Sequence, residues 1–184
     1  MLEPNFSPFT EIDTERLLLR CIKKSDAPLL LFLRSDETVM QYIDREKPKT
    51  LKDAEEFVGK ILESLKNNEG IMWAICLKNE PGKLIGTIGY WRFLKQHYRA
   101  EVGYMLYPNQ WNKGIMKEAL LAVIDFGFKI INLHSIEAHI NPENTPSGIL
   151  LEKAGFIREA YFKEDFYFKG KFINTAVYSL LNKS

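Results

Sequence analysis

Apolar positions in this chain recur at two spacings, every second residue and every three to four, and the spacing switches in a regular order. Residues 16–21 alternate weakly and predict a first strand. Lys23-Lys24-Ser25-Asp26 then offers a helix start, with Ser25 or Asp26 as the cap, and apolar residues carry that helix through Leu33. Thr50-Leu51-Lys52-Asp53 resembles a capping arrangement ahead of a helix over about 52–67. Its Phe57, Val58, Ile61, Leu62 and Leu65 share one face, and Gly70 ends it. Strands over 72–77 and 84–90 are joined by the turn signal Asn79-Glu80-Pro81-Gly82. Lys95-Gln96-His97-Tyr98 makes a second hairpin connection into a strand over 100–107, which stops at Pro108-Asn109. A helix over about 113–131, a strand over 135–140 and a helix over about 145–154 follow. Two last strands, roughly 156–166 and 172–180, turn at Lys169-Gly170-Lys171. The layout predicts one mixed α/β domain over 1–184, with antiparallel meanders flanking a single strand–helix–strand unit. The strands at 100–107 and 135–140 should run parallel within that unit.

Composition narrows the class without changing the picture. At 184 residues, 46% hydrophobic and 27% charged, the chain has the make-up of one soluble globular domain. A net charge of +1 gives no reason to expect direct nucleic-acid binding or an anionic membrane footprint. No apolar run approaches the ~18–20 residues of a membrane span. Met1-Leu2-Glu3-Pro4-Asn5 carries acid and proline where a signal peptide needs base and then apolar residues, so the cytoplasm is the expected compartment. Cys21 and Cys76 each lie in apolar alternating segments and read as small buried thiols rather than a disulfide. His134 and His139 fall five apart on one predicted strand, facing opposite ways, and His97 is remote, so no metal site is expected.

The most informative stretch is Trp111-Asn112-Lys113-Gly114-Ile115-Met116-Lys117. It joins the predicted strand at 100–107 to the long helix. A strand, a glycine-bearing turn and a helix start collect free backbone N–H groups at the positive end of the helix dipole, which suits a phosphate. Lys113 and Lys117 add charge there. The spacing matches neither a Walker loop nor the three-glycine dinucleotide fingerprint. An ordinary helix entry, with glycine for backbone freedom, is the plain alternative.

A second segment, "NPENTPSGILLEKAGF" from Asn141 to Phe156, follows "WNKGIMKEAL" after one helix and one strand. Together with "TERLLLRCIKKSDAPLL", "LIGTIGYW", "AEVGYMLYP" and "FYFKGKFINTAVYSLL", the ordered set resembles the GNAT superfamily of N-acetyltransferases over about 11–181. More narrowly it is similar to the branch holding the ribosomal-protein N-terminal acetyltransferases. The resemblance implies a largely antiparallel mixed sheet with one parallel, splayed strand pair, flanked by helices. It also implies acetyl-CoA as cosubstrate and an amine acceptor, either a protein N-terminus or a small molecule. A non-catalytic acyl-CoA-binding or sensing domain is the rival from another class.

The resemblance assigns roles residue by residue. The turn Trp111, Asn112, Lys113, Gly114, Ile115, Met116 and Lys117 would cradle the pyrophosphate. Met116 stands where a small residue is usual and would take steric room there while keeping its N–H. Backbone groups of Tyr104, Met105 and Leu106 would pair with the pantetheine amides. Asn144 would bind the pantetheine region and Ser147 would sit near the sulfur, although both residue types also cap helices. A tyrosine four residues after the serine position is the usual acid; here that place is Leu151, so Ser147 or an ordered water takes the role. Glu101, a carboxylate in an apolar strand, falls where a general base is proposed; a surface glutamate paired with Arg99 or Lys95 is the alternative. The aromatic run from Tyr161 to Phe168 reads as a hairpin packed on the core, lining an acceptor groove or making a homodimer contact.

Overall fold

The computed structural model describes residues 1–183; Ser184, the last residue of the expected domain, lies outside the described residues. The strands are β1 (Ile12–Asp13), β2 (Leu17–Cys21), β3 (Ile71–Leu77), β4 (Leu84–Leu94), β5 (Arg99–Leu106), β6 (Ser135–Ile140), β7 (Ile157–Phe168) and β8 (Lys171–Leu181). They form one sheet in the order β1-β2-β3-β4-β5-β6-β8-β7. Every neighbouring pair is antiparallel except β5 and β6. That exception follows from topology, because the long helix between them returns the chain in the same direction.

The helices are α1 (Ala27–Ser35), α2 (Glu37–Met40), α3 (Leu51–Lys66), α4 (Ile115–Lys129) and α5 (Thr145–Lys153). Thr50 and Asp53 close the capping box of α3. That helix stops at Asn67 and Asn68, the latter at φ 53, before reaching Gly70. Asp26 stands at the N-cap of α1, as expected from sequence, but its side chain does not cap the helix, because its carboxylate is spent on Arg20 and on the Lys23 amide. Cys21 and Cys76 are free thiols. No helix among the described residues is long and apolar enough to cross a membrane.

The register sorts side chains onto two faces. Ile71 pairs with Tyr90, Trp73 with Ile88, Tyr90 with Val102 and Ile88 with Tyr104, so these residues share a face. The Tyr90 hydroxyl donates to the Val123 carbonyl of α4, and Trp73 meets Phe126 edge-on at 5.1 Å, so α4 covers that face. Met72, Thr87, Trp91, Glu101 and Gly103 alternate onto the other face, against which α1 and α3 lie. The core fills both layers, with Leu17, Leu19, Trp73, Ile88 and Leu120 fully enclosed.

The β7–β8 hairpin meets the expectation only in part. Ala176 and Tyr178 of β8 pack in the core, and Phe166 and Ile173 line a cavity, but Phe162, Phe166, Tyr167 and Phe172 are 45–64% exposed, because β7 is the end strand of the sheet.

Candidate active site

Strands β5 and β6 pair only at Arg99–Ser135, Ala100–Ile136 and Glu101–Glu137. Beyond Glu101 they part, while β5 keeps its ladder to β4 as far as Leu106. The backbone edge of residues 102–106 on the β6 side is thereby left without a strand partner. A slot opens through the sheet, and a cavity of about 740 Å³ occupies it. Tyr104, Met105, Asn144, Ser147 and Glu101 all line this cavity.

The two faces give the slot two chemically different mouths. Tyr104 lies on the α4 face, where α5 also packs: Gly148 of α5 abuts the Tyr178 hydroxyl, and Tyr178 pairs with Ala138 on that face. There the Tyr104 and Ser147 hydroxyls share a hydrogen bond of 2.7 Å. Burial pushes the Tyr104 phenol up to about 12, although its bond to Ser147 pulls the other way. Ser147 is buried, and it does not cap α5; Asn144 does, accepting from the Ser147 amide at 3.2 Å. Leu151 is sealed in the core. The phenol absent at Leu151 is therefore supplied to Ser147 from β5, a relation that no local spacing could reveal.

Glu101 lies at the other mouth, on the α1–α3 face, at the last rung before the strands part. It is 4% exposed, and its partner is Arg92, at 2.9 Å, rather than Arg99 or Lys95. Arg92 is available because β4 runs four residues further than the alternation predicts, to Leu94, bulging at Arg92 with φ 48. Arg99 instead holds Glu137 at 3.5 Å and Ser135 at 2.8 Å. His139 Nε2 lies 3.5 Å from Glu137, and His134 precedes the strand rather than joining it. Glu101, Glu137 and His139 thus converge within 4.8 Å, a grouping the histidine spacing concealed, with Arg92 and Arg99 balancing the two carboxylates. Trp91 stands opposite Glu101 in the ladder and lays its indole across Gly103, where any Cβ would strike the ring.

The turn at 111–117 sits at the end of β5 and opens α4. Gly114 is the residue before the helix, at φ 76, and Asn112 also has positive φ, at 59. The first helical bond runs from the Glu118 amide to the Gly114 carbonyl, so the amides before it point out of the helix start. Trp111 pins the turn by donating from Nε1 to the Leu106 carbonyl at 2.8 Å. Lys113 and Lys117 are exposed beside it, whereas Ile115 and Met116 are buried in the core. Met116 therefore takes no room on the outer side of the turn, because the helix phase turns its side chain inward. Sequence reasoning also missed Arg16. Its guanidinium donates to the Lys113 carbonyl at 2.9 Å and pairs with Glu118 at 2.7 Å, bracing the turn from the residue before β2.

Comparison with known proteins follows the same lines. A family model described as "Acetyltransferase (GNAT) domain" matches residues 16–157. An uncharacterized N-acetyltransferase, p20, of Bacillus licheniformis is 35% identical over 170 residues, covering 92% of this chain and 95% of its own. A crystal structure of an acetyltransferase (GNAT family) from Bacillus anthracis superposes with a TM-score of 0.84 at 32% identity, covering 95% of this chain and 100% of that one. The ribosomal-protein-S5-alanine acetyltransferase from Vibrio fischeri superposes with a TM-score of 0.84 at 28% identity, covering 95% of this chain and 98% of that one.

Proposed function

Because the chain belongs to the GNAT acetyltransferase family and is an N-acetyltransferase, we propose that it passes acetyl from acetyl-CoA directly to a primary amine within a ternary complex. The observation that carries this reading is the slot with a buried carboxylate at one mouth and a tyrosine-backed serine at the other. Such a layout lets donor and acceptor approach from opposite faces of the sheet, with no covalent nucleophile between them.

The residues present fit acetyl-CoA. The outward amides at 112–117, the positive end of α4 and Lys113 and Lys117 suit a pyrophosphate. The unpaired edge at Tyr104, Met105 and Leu106 can take an amide-bearing arm as a further strand would. Asn144 and Ser147 border the same cavity.

In this reading Glu101 takes a proton from the incoming ammonium, leaving a free amine lone pair. The nitrogen then attacks the thioester carbon; the N–C bond forms, the C–S bond breaks, and the electron pair leaves on sulfur. The second amine proton passes through solvent to the departing thiolate as the amide forms, so the sulfur ends as a thiol, and Glu101 returns its proton to solvent. Ser147 donates a hydrogen bond to the sulfur as charge develops. Tyr104, kept protonated by burial, donates to Ser147 Oγ and so frees the serine proton to face the sulfur. A coenzyme thiol has a pKa near the ~8.5 of cysteine, so hydrogen bonding rather than full protonation is enough help.

The acceptor we favour is an α-amino group at a polypeptide N-terminus. Its reference pKa of ~7.7–8.0 asks far less of a carboxylate base than the ~10.4 of lysine. The V. fischeri enzyme, 28% identical, is named for an alanine of a ribosomal protein. A free small amine is the second reading, favoured by a cavity large enough to hold one.

Two measurements test the assignment. Thiol release from acetyl-CoA, followed against a panel of N-terminal peptides and small amines, should appear with at least one acceptor; silence across the panel would favour a binding or sensing domain. Gly114→Val should bind CoA much more weakly in calorimetry, because a β-branched residue at that φ costs about 1–2 kcal/mol and distorts the amide cradle. Unchanged affinity would remove the turn from the site.

A further inference from the structure

Arg16, Arg20, Arg92 and Arg99 each hold a carboxylate. Two other arginines, both lining the cavity on the α1–α3 side, do not. Arg34 of α1 lies 4.0 Å over the Phe57 ring of α3, and Arg45, in the segment after α2, lies 5.5 Å over the Trp91 ring. Neither guanidinium has an ion pair or a hydrogen bond among the described residues. Lys60 of α3 lines the same stretch of wall, also without a carboxylate partner. Burial, and then the neighbouring Arg45, lower the Arg34 pKa to about 10: it remains a cation at neutral pH, in a place that lacks counter-charge. Trp91 Nε1 is buried without an acceptor at the same wall, a further unspent donor.

The acidic residues around the cavity do not supply the missing charge. Glu101 is held by Arg92. Asp44, whose pKa burial raises, is hydrogen-bonded to Asn141 and makes no ion pair with its neighbour Arg45. Asp165 belongs to the exposed β7–β8 hairpin across the cavity and pairs with no cation. Planar guanidinium donors left unmatched on a concave wall are suited to a carboxylate or phosphate.

Their position relative to Glu101 sets the geometry of the guest. Trp91 is the ladder partner of Glu101, and its indole carries Arg45 above it. Arg45 and the base are thus on one face of the sheet with the Trp91 indole between them, and Arg34 lines the same cavity. We propose that Arg34 and Arg45 form an anion subsite, and that the acceptor is a primary amine joined by a short spacer to a carboxylate or other anionic group. The amine meets Glu101, the spacer crosses Trp91, and the anion meets the two guanidinium groups. This deepens the acetyl-transfer reading and rests on it. A free ω-amino acid and a polypeptide N-terminus with Asp or Glu among its first residues share this chemistry.

The test compares acceptors that differ only in the anion. One arm sets glycine, β-alanine, 4-aminobutyrate and 6-aminohexanoate against their amides. The other sets N-terminal peptides with Glu at the second or third position against their Gln counterparts. In the arm that holds the true acceptor, the acid should exceed its neutral partner in kcat/KM by about ten- to a hundred-fold, the value of one or two charge-assisted hydrogen bonds. Arg34→Met and, separately, the exposed Arg45→Met should bring that ratio towards one, mainly through KM. Equal rates for acid and amide in both arms, or a ratio that survives both substitutions, would overturn the subsite. Failure of every acceptor would strike at acetyl transfer itself. Calorimetry of the same acids and amides on CoA-loaded protein then judges the subsite alone, equal affinity counting against it.

Discussion

Two buried carboxylates in this fold sit beside arginines, and they are bonded in opposite ways. Asp26 meets Arg20 through both oxygens at 2.8 Å, with both side chains 4% exposed. Its remaining acceptor capacity goes to the Lys23 amide, and Arg20 spends its other donors on the carbonyls of Cys21, Pro81 and Gly82. Glu101 is equally buried, yet it receives a single hydrogen bond, from an Arg92 whose side chain is 62% exposed. Its second oxygen has no hydrogen bond among the described residues. A saturated pair in a closed corner fixes the junction of β2 with α1; an unsaturated one at the mouth of a slot keeps an oxygen free, as the proposed base requires. Both are buried carboxylates, and the count of satisfied atoms is what sets the scaffold pair apart from the proposed base.

The sharpest way to break that contrast is to neutralise each carboxylate in turn. Glu101→Gln should lower turnover by ~10²–10⁴, the range for a lost general base, while melting and CoA affinity stay close to the parent. Asp26→Asn should do the reverse. Breaking one partner of a buried ion pair costs about 3–5 kcal/mol, so its melting temperature should drop steeply while turnover per folded molecule is kept. If Asp26→Asn loses rate without losing stability, or Glu101→Gln unfolds at full activity per folded molecule, the two roles have been exchanged.

A smaller effect is expected at the opposite mouth. Ser147→Ala and Tyr104→Phe should each slow the reaction by about ten- to a hundred-fold, the low end of acid–base help. The two losses should not add, because the tyrosine is argued to act through the serine. Both should shrink with a donor whose thiol is more acidic. Additive losses, or losses indifferent to the leaving group, would reduce Tyr104 to a wall residue.

Much of the fold could be read from periodicity, since the β6 and α5 patterns are uninterrupted and the turns at 79–82 and 169–171 carry Gly, Pro or Asn. The misreadings share a cause. Gly70 attracted the end of α3, but Asn68 supplied the positive φ. The long aromatic run suggested core, but its strand ended at the sheet edge, where Phe162, Phe166 and Tyr167 stay half exposed. Of the proposed site, the parts defined by backbone or local spacing were visible, as with Gly114 and the N–H groups around it. Arg16, Arg34, Arg45 and Arg92 were not, because each reaches its place through a fold contact with a residue distant in sequence or through an irregularity in β4. Tyr104 was seen for its backbone and missed for its hydroxyl, whose partner lies 43 residues away.

The gentlest test separates a tyrosine of the site from one of the scaffold by pH alone. Burial pushes Tyr104 and Tyr107 each up to about 12, and Tyr90 well above its usual value. In the unfolded chain these phenols ionise near ~10, so between pH 10 and 12 the unfolded state binds fewer protons than the folded one. Stability must then fall as pH rises through that window, and the deficit is absent below pH 10, where both states are protonated. Thermal melts should show this as a decline of a few degrees per pH unit beyond pH 10. Tyr107 donates to the Leu29 carbonyl, away from the slot, so Tyr107→Phe should flatten the decline and leave the pH–rate profile alone. Tyr104→Phe should flatten it as well, but the rate deficit it causes should hold constant up to about pH 11, because the parent phenol stays protonated there and goes on donating to Ser147. A parent enzyme whose advantage over Tyr104→Phe vanished by pH 10 would have a phenol that ionises in place, and the hydroxyl pair would not be the donor described here.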